Sequence, residues 1–120
     1  MWFLTAHPKL STTAHRTLLA NTGELAIPNI VLFEIEHAYR RGRFPVEALT
    51  AARMISAASA VRYVASTRHL LKYYPSDLEM HDAMIVATTL LLQARHPGEE
   101  VALLTADRAI HDCGLVNVIW

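Results

Sequence analysis

The sequence predicts an α/β domain built on a mostly parallel sheet. Short runs rich in aliphatic, β-branched and aromatic residues alternate with longer stretches of helical periodicity, and strands alternating with helices favour parallel pairing through crossovers. The chain has 120 residues and is 52% hydrophobic, which suits one domain, residues 1–120, with a substantial core. The stretch His81-Asp82-Ala83-Met84-Ile85-Val86-Ala87-Thr88-Thr89-Leu90-Leu91-Leu92 is apolar on every side at about 100° per residue. Such a helix is buried, and the rest of the domain is expected to pack around it.

Each element follows from local signals. Met1–Thr5 reads equally as a strand or a helix end, and Pro8 breaks the chain after it. Ser11 can cap a helix running to about Asn21, stopped by Gly23. Leu25-Ala26-Ile27 reads as a strand ended by Pro28-Asn29, and Asn29 can cap a helix from Ile30 to Arg41, closed by Gly42. Pro45 opens an amphipathic helix from Val46 to about Ser59. Val61-Arg62-Tyr63-Val64 is a strand, Ser66 to Tyr73 a short helix ended by Pro75, and the buried helix follows from His81 to near Gln93–Arg95. His96-Pro97-Gly98 turns the chain into the strand Val101–Leu104. A short helix from Asp107 to about Asp112, stopped by Gly114, leads to the last strand, Val116–Ile119.

Composition narrows the function. Lys+Arg and Asp+Glu number 11 each, so contact with a nucleic acid must come from a local patch rather than the whole-protein field. The single cysteine, Cys113, allows no disulfide within the chain and fits a reducing cytoplasm; its apolar setting reads as core filling rather than nucleophile. No apolar stretch is long enough to span a membrane. Four glycines form no phosphate-binding loop, which weakens a small-ligand binding module as a reading. The seven histidines have no zinc spacing and read as surface or capping residues, His37 pointing away from the apolar side of its helix.

Three acids fall where helices begin. Glu34 lies in the first turns of the helix after Leu25–Ile27, Asp82 at the start of the buried helix, and Asp107 just after Val101–Leu104. Open α/β sheets bind ligands outside the carboxyl ends of their strands, where these junctions lie. Each acid also has an ordinary structural reading: Glu34 as the flank of an amphipathic helix, Asp82 and Asp107 as N-caps. Helical geometry alone does not choose between Glu34 and Glu36. Clustered carboxylates repel without a cation, and oxygen donors with no thiolate or paired histidine suit Mg²⁺ or Mn²⁺. Such an ion typically works on phosphates.

Four segments, Ile30-Val31-Leu32-Phe33-Glu34-Ile35, Asp82-Ala83-Met84-Ile85-Val86-Ala87-Thr88, Leu103-Leu104-Thr105-Ala106-Asp107 and Val118-Ile119-Trp120, resemble PIN-domain proteins. The nearest likeness is to the VapC-like toxin ribonucleases of bacterial toxin–antitoxin pairs. It spans nearly the whole chain in order and is most specific toward the C-terminus. It implies a three-layer α/β/α fold, Mg²⁺- or Mn²⁺-dependent cleavage of RNA in the cytoplasm, a homodimer and an antitoxin partner. It implies that Glu34, rather than Glu36, acts with Asp82 and Asp107 as the metal-site acids, and that Thr105 hydrogen-bonds within the site. The chain departs from the family at its start: the first central strand and its Asp are missing, and no acid precedes Glu24. That departure predicts marginal stability or aggregation unless a dimer or Met1–Thr5 fills the gap, and weak or absent cleavage. It keeps open a second reading, a PIN-like domain that no longer cleaves and acts by binding antitoxin or another partner.

Two further features have competing readings. Arg40-Arg41-Gly42-Arg43 is the only basic cluster, favourable at a helix C-terminus and equally suited to RNA phosphates or an acidic antitoxin segment. Tyr73-Tyr74 fits packing in the core or a dimer better than stacking on bases.

Overall fold

The described strands form two parallel pairs, β1 (Leu25–Pro28) with β2 (Val61–Val64) and β3 (Leu103–Leu104) with β4 (Val118–Ile119). The structure is a computed structural model and describes residues 11–20, 24–58 and 60–120. The readings placed on Met1–Thr5, Pro8 and Gly23 lie outside these residues. The mixed α/β class and the parallel pairing agree with the sequence. The chain divides into two compact units, Met1–Ala65 and Ser66–Trp120, and each is described by itself.

In the first unit, helix α1 (Thr12–Ala20) begins as Ser11 predicts: the Ala14 N–H donates to Ser11 Oγ at 3.0 Å. β1 and β2 pair with Leu25 opposite Val61 and Pro28 opposite Val64. β1 is one residue longer than predicted, because the extended backbone of Pro28 (φ −60, ψ 134) still continues a strand. Helix α2 then starts at Asn29 (Asn29–Arg40). Pro28 holds the cap position and no side chain caps it, so the expected Asn29 cap is corrected.

The end of α2 is a Schellman turn. The Gly42 N–H donates to the Tyr39 carbonyl at 2.9 Å and the Arg43 N–H to the Ala38 carbonyl at 2.8 Å. Gly42 sits at φ +68, where a Cβ is strained, so glycine belongs there.

Helix α3 (Ala48–Ala58) starts two residues later than the sequence predicts. The Ala48 N–H donates to Glu36 Oε2 at 3.2 Å, so a carboxylate from α2 sets the starting point that Pro45 and Val46 do not. Ile35, Ala48 and Ala51 make the α2–α3 core, with Val31, Leu32, Phe44 and Val46 packed on it. Tyr63 of β2 donates its hydroxyl to the Ala52 carbonyl at 3.1 Å, tying the strand to α3.

In the second unit, a 3-10 helix (Arg68–Tyr73) packs on helix α4 (Met80–Arg95) through Leu70, Tyr73, Ala87 and Leu91. Tyr73 therefore serves the core, as its sequence context suggests. α4 is the helix the sequence predicts to be buried: Ala83, Val86, Ala87, Thr88, Thr89 and Leu91 are buried on several sides of it. Its two buried threonines donate back to the carbonyls of Met84 and Ile85 at 2.8 and 3.0 Å, which satisfies their hydroxyls without a partner helix.

Gln93 reaches from the end of α4 to the Val101 carbonyl at 3.4 Å and steadies the approach to β3. β3 and β4 are shorter than the predicted Val101–Leu104 and Val116–Ile119 strands. Helix α5 (Arg108–Cys113) ends at Gly114, φ +68, as predicted. Ile110 is its buried anchor. No helix among the described residues is long and apolar enough to cross a membrane.

Candidate functional site

Asp82 lies in the first turn of α4 but does not cap it. Glu79 holds the cap position, and its Oε2 accepts the His81 N–H at 3.1 Å. The ordinary reading of Asp82 as an N-cap is corrected, because a residue three positions upstream already fills that role. Asp82 is half-buried. Its carboxyl is pushed above the usual aspartate range, first by burial, then by the Asp107 carboxylate and by Glu79; the His81 side chain offsets part of this. Water is withdrawn and like charge is added, and both favour the protonated acid.

Asp107 does cap. Its Oδ1 accepts the N–H groups of Ala109 and Ile110 at 2.8 and 3.2 Å, which starts α5 and leaves Oδ2 outside the cap. The Asp107 N–H in turn donates to Thr105 Oγ1 at 3.1 Å. The Thr105 N–H donates to the Ile119 carbonyl at 3.4 Å, so the turn that delivers Asp107 is anchored to β4. Thr105, Asp107 and Asp82 are thus brought together in the second unit: a strand end, a capped turn and the start of the central helix.

Glu34 belongs to the first unit, half-buried on α2. Its neighbour Glu36 has a structural task. Oε1 takes the Arg40 Nε at 2.8 Å and Oε2 takes the Ala48 N–H. These two bonds hold its carboxyl below the usual glutamate range, the arginine contact being the larger cause. Helical position alone left the two glutamates equivalent; in the structure Glu36 joins α2 to α3.

A divalent cation fits the Asp82–Asp107 pair on chemical grounds. The Asp107 carboxylate stands close enough to raise the pKa of Asp82, and Mg²⁺ commonly binds through one or two carboxylates with water completing its shell. Within the second unit, among the described residues, no third His, Cys, Asp or Glu joins them to make a metal-holding group. The residue that sequence reasoning passed over is Glu79, which both caps α4 and helps raise the pKa of Asp82. Its only local signal is its position just before the helix, since glutamate is not a favoured cap.

The other candidates are structural. The Cys113 thiol donates to the Ile110 carbonyl at 2.9 Å inside α5. His111 stands 3.7 Å from Asp112, and His37 is exposed, as its place on the helix predicts. No protein-family model, no curated protein and no solved structure matches the chain.

Proposed function

We propose that the chain is a Mg²⁺- or Mn²⁺-dependent endoribonuclease of PIN-like, three-layer α/β/α fold, with Asp82, Asp107 and Glu34 as metal-site acids. The observation that carries this is the like-charge pair at the head of α4, where Asp82 is half-buried, uninvolved in capping and raised in pKa beside Asp107. Stability is poorly served by such a pair, and a perturbed acid held beside a second carboxylate is a recognised mark of a functional site.

When bound, a divalent cation would orient the scissile phosphate, stabilise its developing charge and lower the pKa of a water. The chain's own residues prepare for that. Asp82 presents a carboxylate from the first turn of a helix whose other sides are packed, so the donor is fixed by the core. Asp107 is held by its two capping N–H groups through Oδ1, with Oδ2 left to bind. Thr105 fixes the Asp107 backbone and so orients that carboxylate. The proposal extends to a cytoplasmic toxin that is held by an antitoxin and works as a homodimer.

The test is cleavage of a labelled RNA by the purified chain in Mg²⁺ or Mn²⁺. Cleavage that EDTA stops, and that Asp82→Asn abolishes while the fold is retained, supports the nuclease. Binding of RNA or antitoxin without cleavage by the unaltered chain points to the non-cleaving PIN-like reading instead.

A further inference from the structure

The outward face of α2 carries an exposed aromatic ring in line with the basic cluster that ends the helix. Phe33, His37 and Arg40 are spaced i, i+4 and i+7, which puts them on one helix face. All three are exposed, and Phe33 is 71% exposed although it lies among the apolar residues of its segment. At 1.5 Å per residue, Phe33 lies about 10 Å along the axis from Arg40. The Schellman turn then fixes the backbone that presents Arg41 and Arg43, both exposed.

The carboxylates nearest in sequence are engaged. Glu36 holds Arg40 and the Ala48 N–H, and Glu47 accepts the Thr50 hydroxyl at 3.2 Å. Neither Arg41 nor Arg43 has an ion pair among the described residues. A chain of balanced charge therefore carries a local positive excess beside a solvent-facing ring.

We propose that this face binds single-stranded RNA, with a base stacked on Phe33 and phosphates held by Arg41 and Arg43. An acidic peptide would use the guanidiniums and leave the ring without a role. A second copy of this chain has no overall negative charge to offer them. Single-stranded RNA uses both, because each base has a π-face and each link carries a negative charge. The proposal deepens the nuclease reading and rests on it for the choice of RNA as the polyanion.

The experiment measures fluorescence anisotropy of a labelled single-stranded RNA, on the order of ten nucleotides, with the full chain in EDTA, so that binding is read without cleavage. Phe33→Ala should weaken binding about 5- to 150-fold and leave the salt dependence unchanged. Phe33→Trp should restore binding. Arg41→Gln and Arg43→Gln should each weaken binding and reduce the slope of log K against log salt by about 0.7.

Unchanged RNA affinity in Phe33→Ala overturns the proposal. If the arginine variants alone lose affinity, the turn is a general anion surface of the kind an acidic peptide uses. If Phe33→Ala instead changes the sedimentation of the free protein, the face joins two copies. Circular dichroism of each variant guards against unfolding, which an exposed ring makes a small risk. RNA binding that follows these rules in a chain that does not cleave in Mg²⁺ overturns the nuclease reading and leaves this proposal standing.

Discussion

The Glu36 carboxylate of α2 accepts the backbone N–H of Ala48, twelve residues later, at 3.2 Å, while its other oxygen holds Arg40 at 2.8 Å. One side chain thereby ends an exposed helix face and starts the next helix. Because both contacts favour the ionised acid, its folded-state pKa lies below its unfolded value. The stabilisation is present above the ordinary glutamate range and is lost as pH falls through the depressed folded value. Glu36→Ala should melt lower than the parent at neutral pH, and thermal melts at a series of pH values should show the two converging in acid.

Asp82 should behave in the opposite sense. Its folded pKa is raised, so between the ordinary aspartate value and the raised one the folded state holds more protons than the unfolded state. Stability therefore falls as pH rises through that window. Asp82→Asn, without metal, should melt higher than the parent at neutral pH and lose this slope. An NMR titration should show the Asp82 carboxyl above the usual range, and lower in Asp107→Asn than in the parent.

Asp107 separates capping from charge. Asparagine caps about as well as aspartate, so Asp107→Asn should keep the fold, whereas Asp107→Ala should cost about 0.5–2 kcal/mol through the lost bonds to Ala109 and Ile110. Under the nuclease reading both variants lose cleavage. Full activity in Asp107→Asn would remove Asp107 from the metal site.

Metal binding should report the same pair without any assay of cleavage. Mg²⁺ or Mn²⁺ should raise the melting temperature of the parent progressively with the logarithm of its concentration above Kd, since a ligand bound only by the folded state stabilises it. Asp82→Asn should show little of that rise. An equal rise in both proteins would place the cation elsewhere.

The α2–α3 core gives a check on the fold itself. Ile35 is 1% exposed among Ala48 and Ala51. Ile35→Ala should cost about 2–5 kcal/mol in denaturant unfolding, because the truncation leaves a cavity in the buried α2–α3 core. A cost near zero would mean that α2 and α3 do not pack as described.

Local chemistry in the sequence determined the elements of this protein and their type. β1 and β2 are legible as aliphatic and aromatic runs between turn residues, α4 as a long stretch apolar all round, and the ends of α2 and α5 as glycines, because period and backbone freedom are properties of neighbouring residues. Asp82 in the first turn of α4 and the cap made by Asp107 are legible for the same reason, whereas Glu34 falls at the sixth residue of α2, whose first turn carries no acid. Tertiary structure decided what depends on partners distant in sequence or on one choice among nearby side chains. It started α3 at Ala48, through a carboxylate from another helix. It set Glu79 rather than Asp82 as the cap of α4, because the side chain that reaches the first free N–H depends on the chain's path into the helix. It raised the pKa of Asp82 by burial and by Asp107, twenty-five residues away, a field that exists only once α4 and the turn after β3 are folded together.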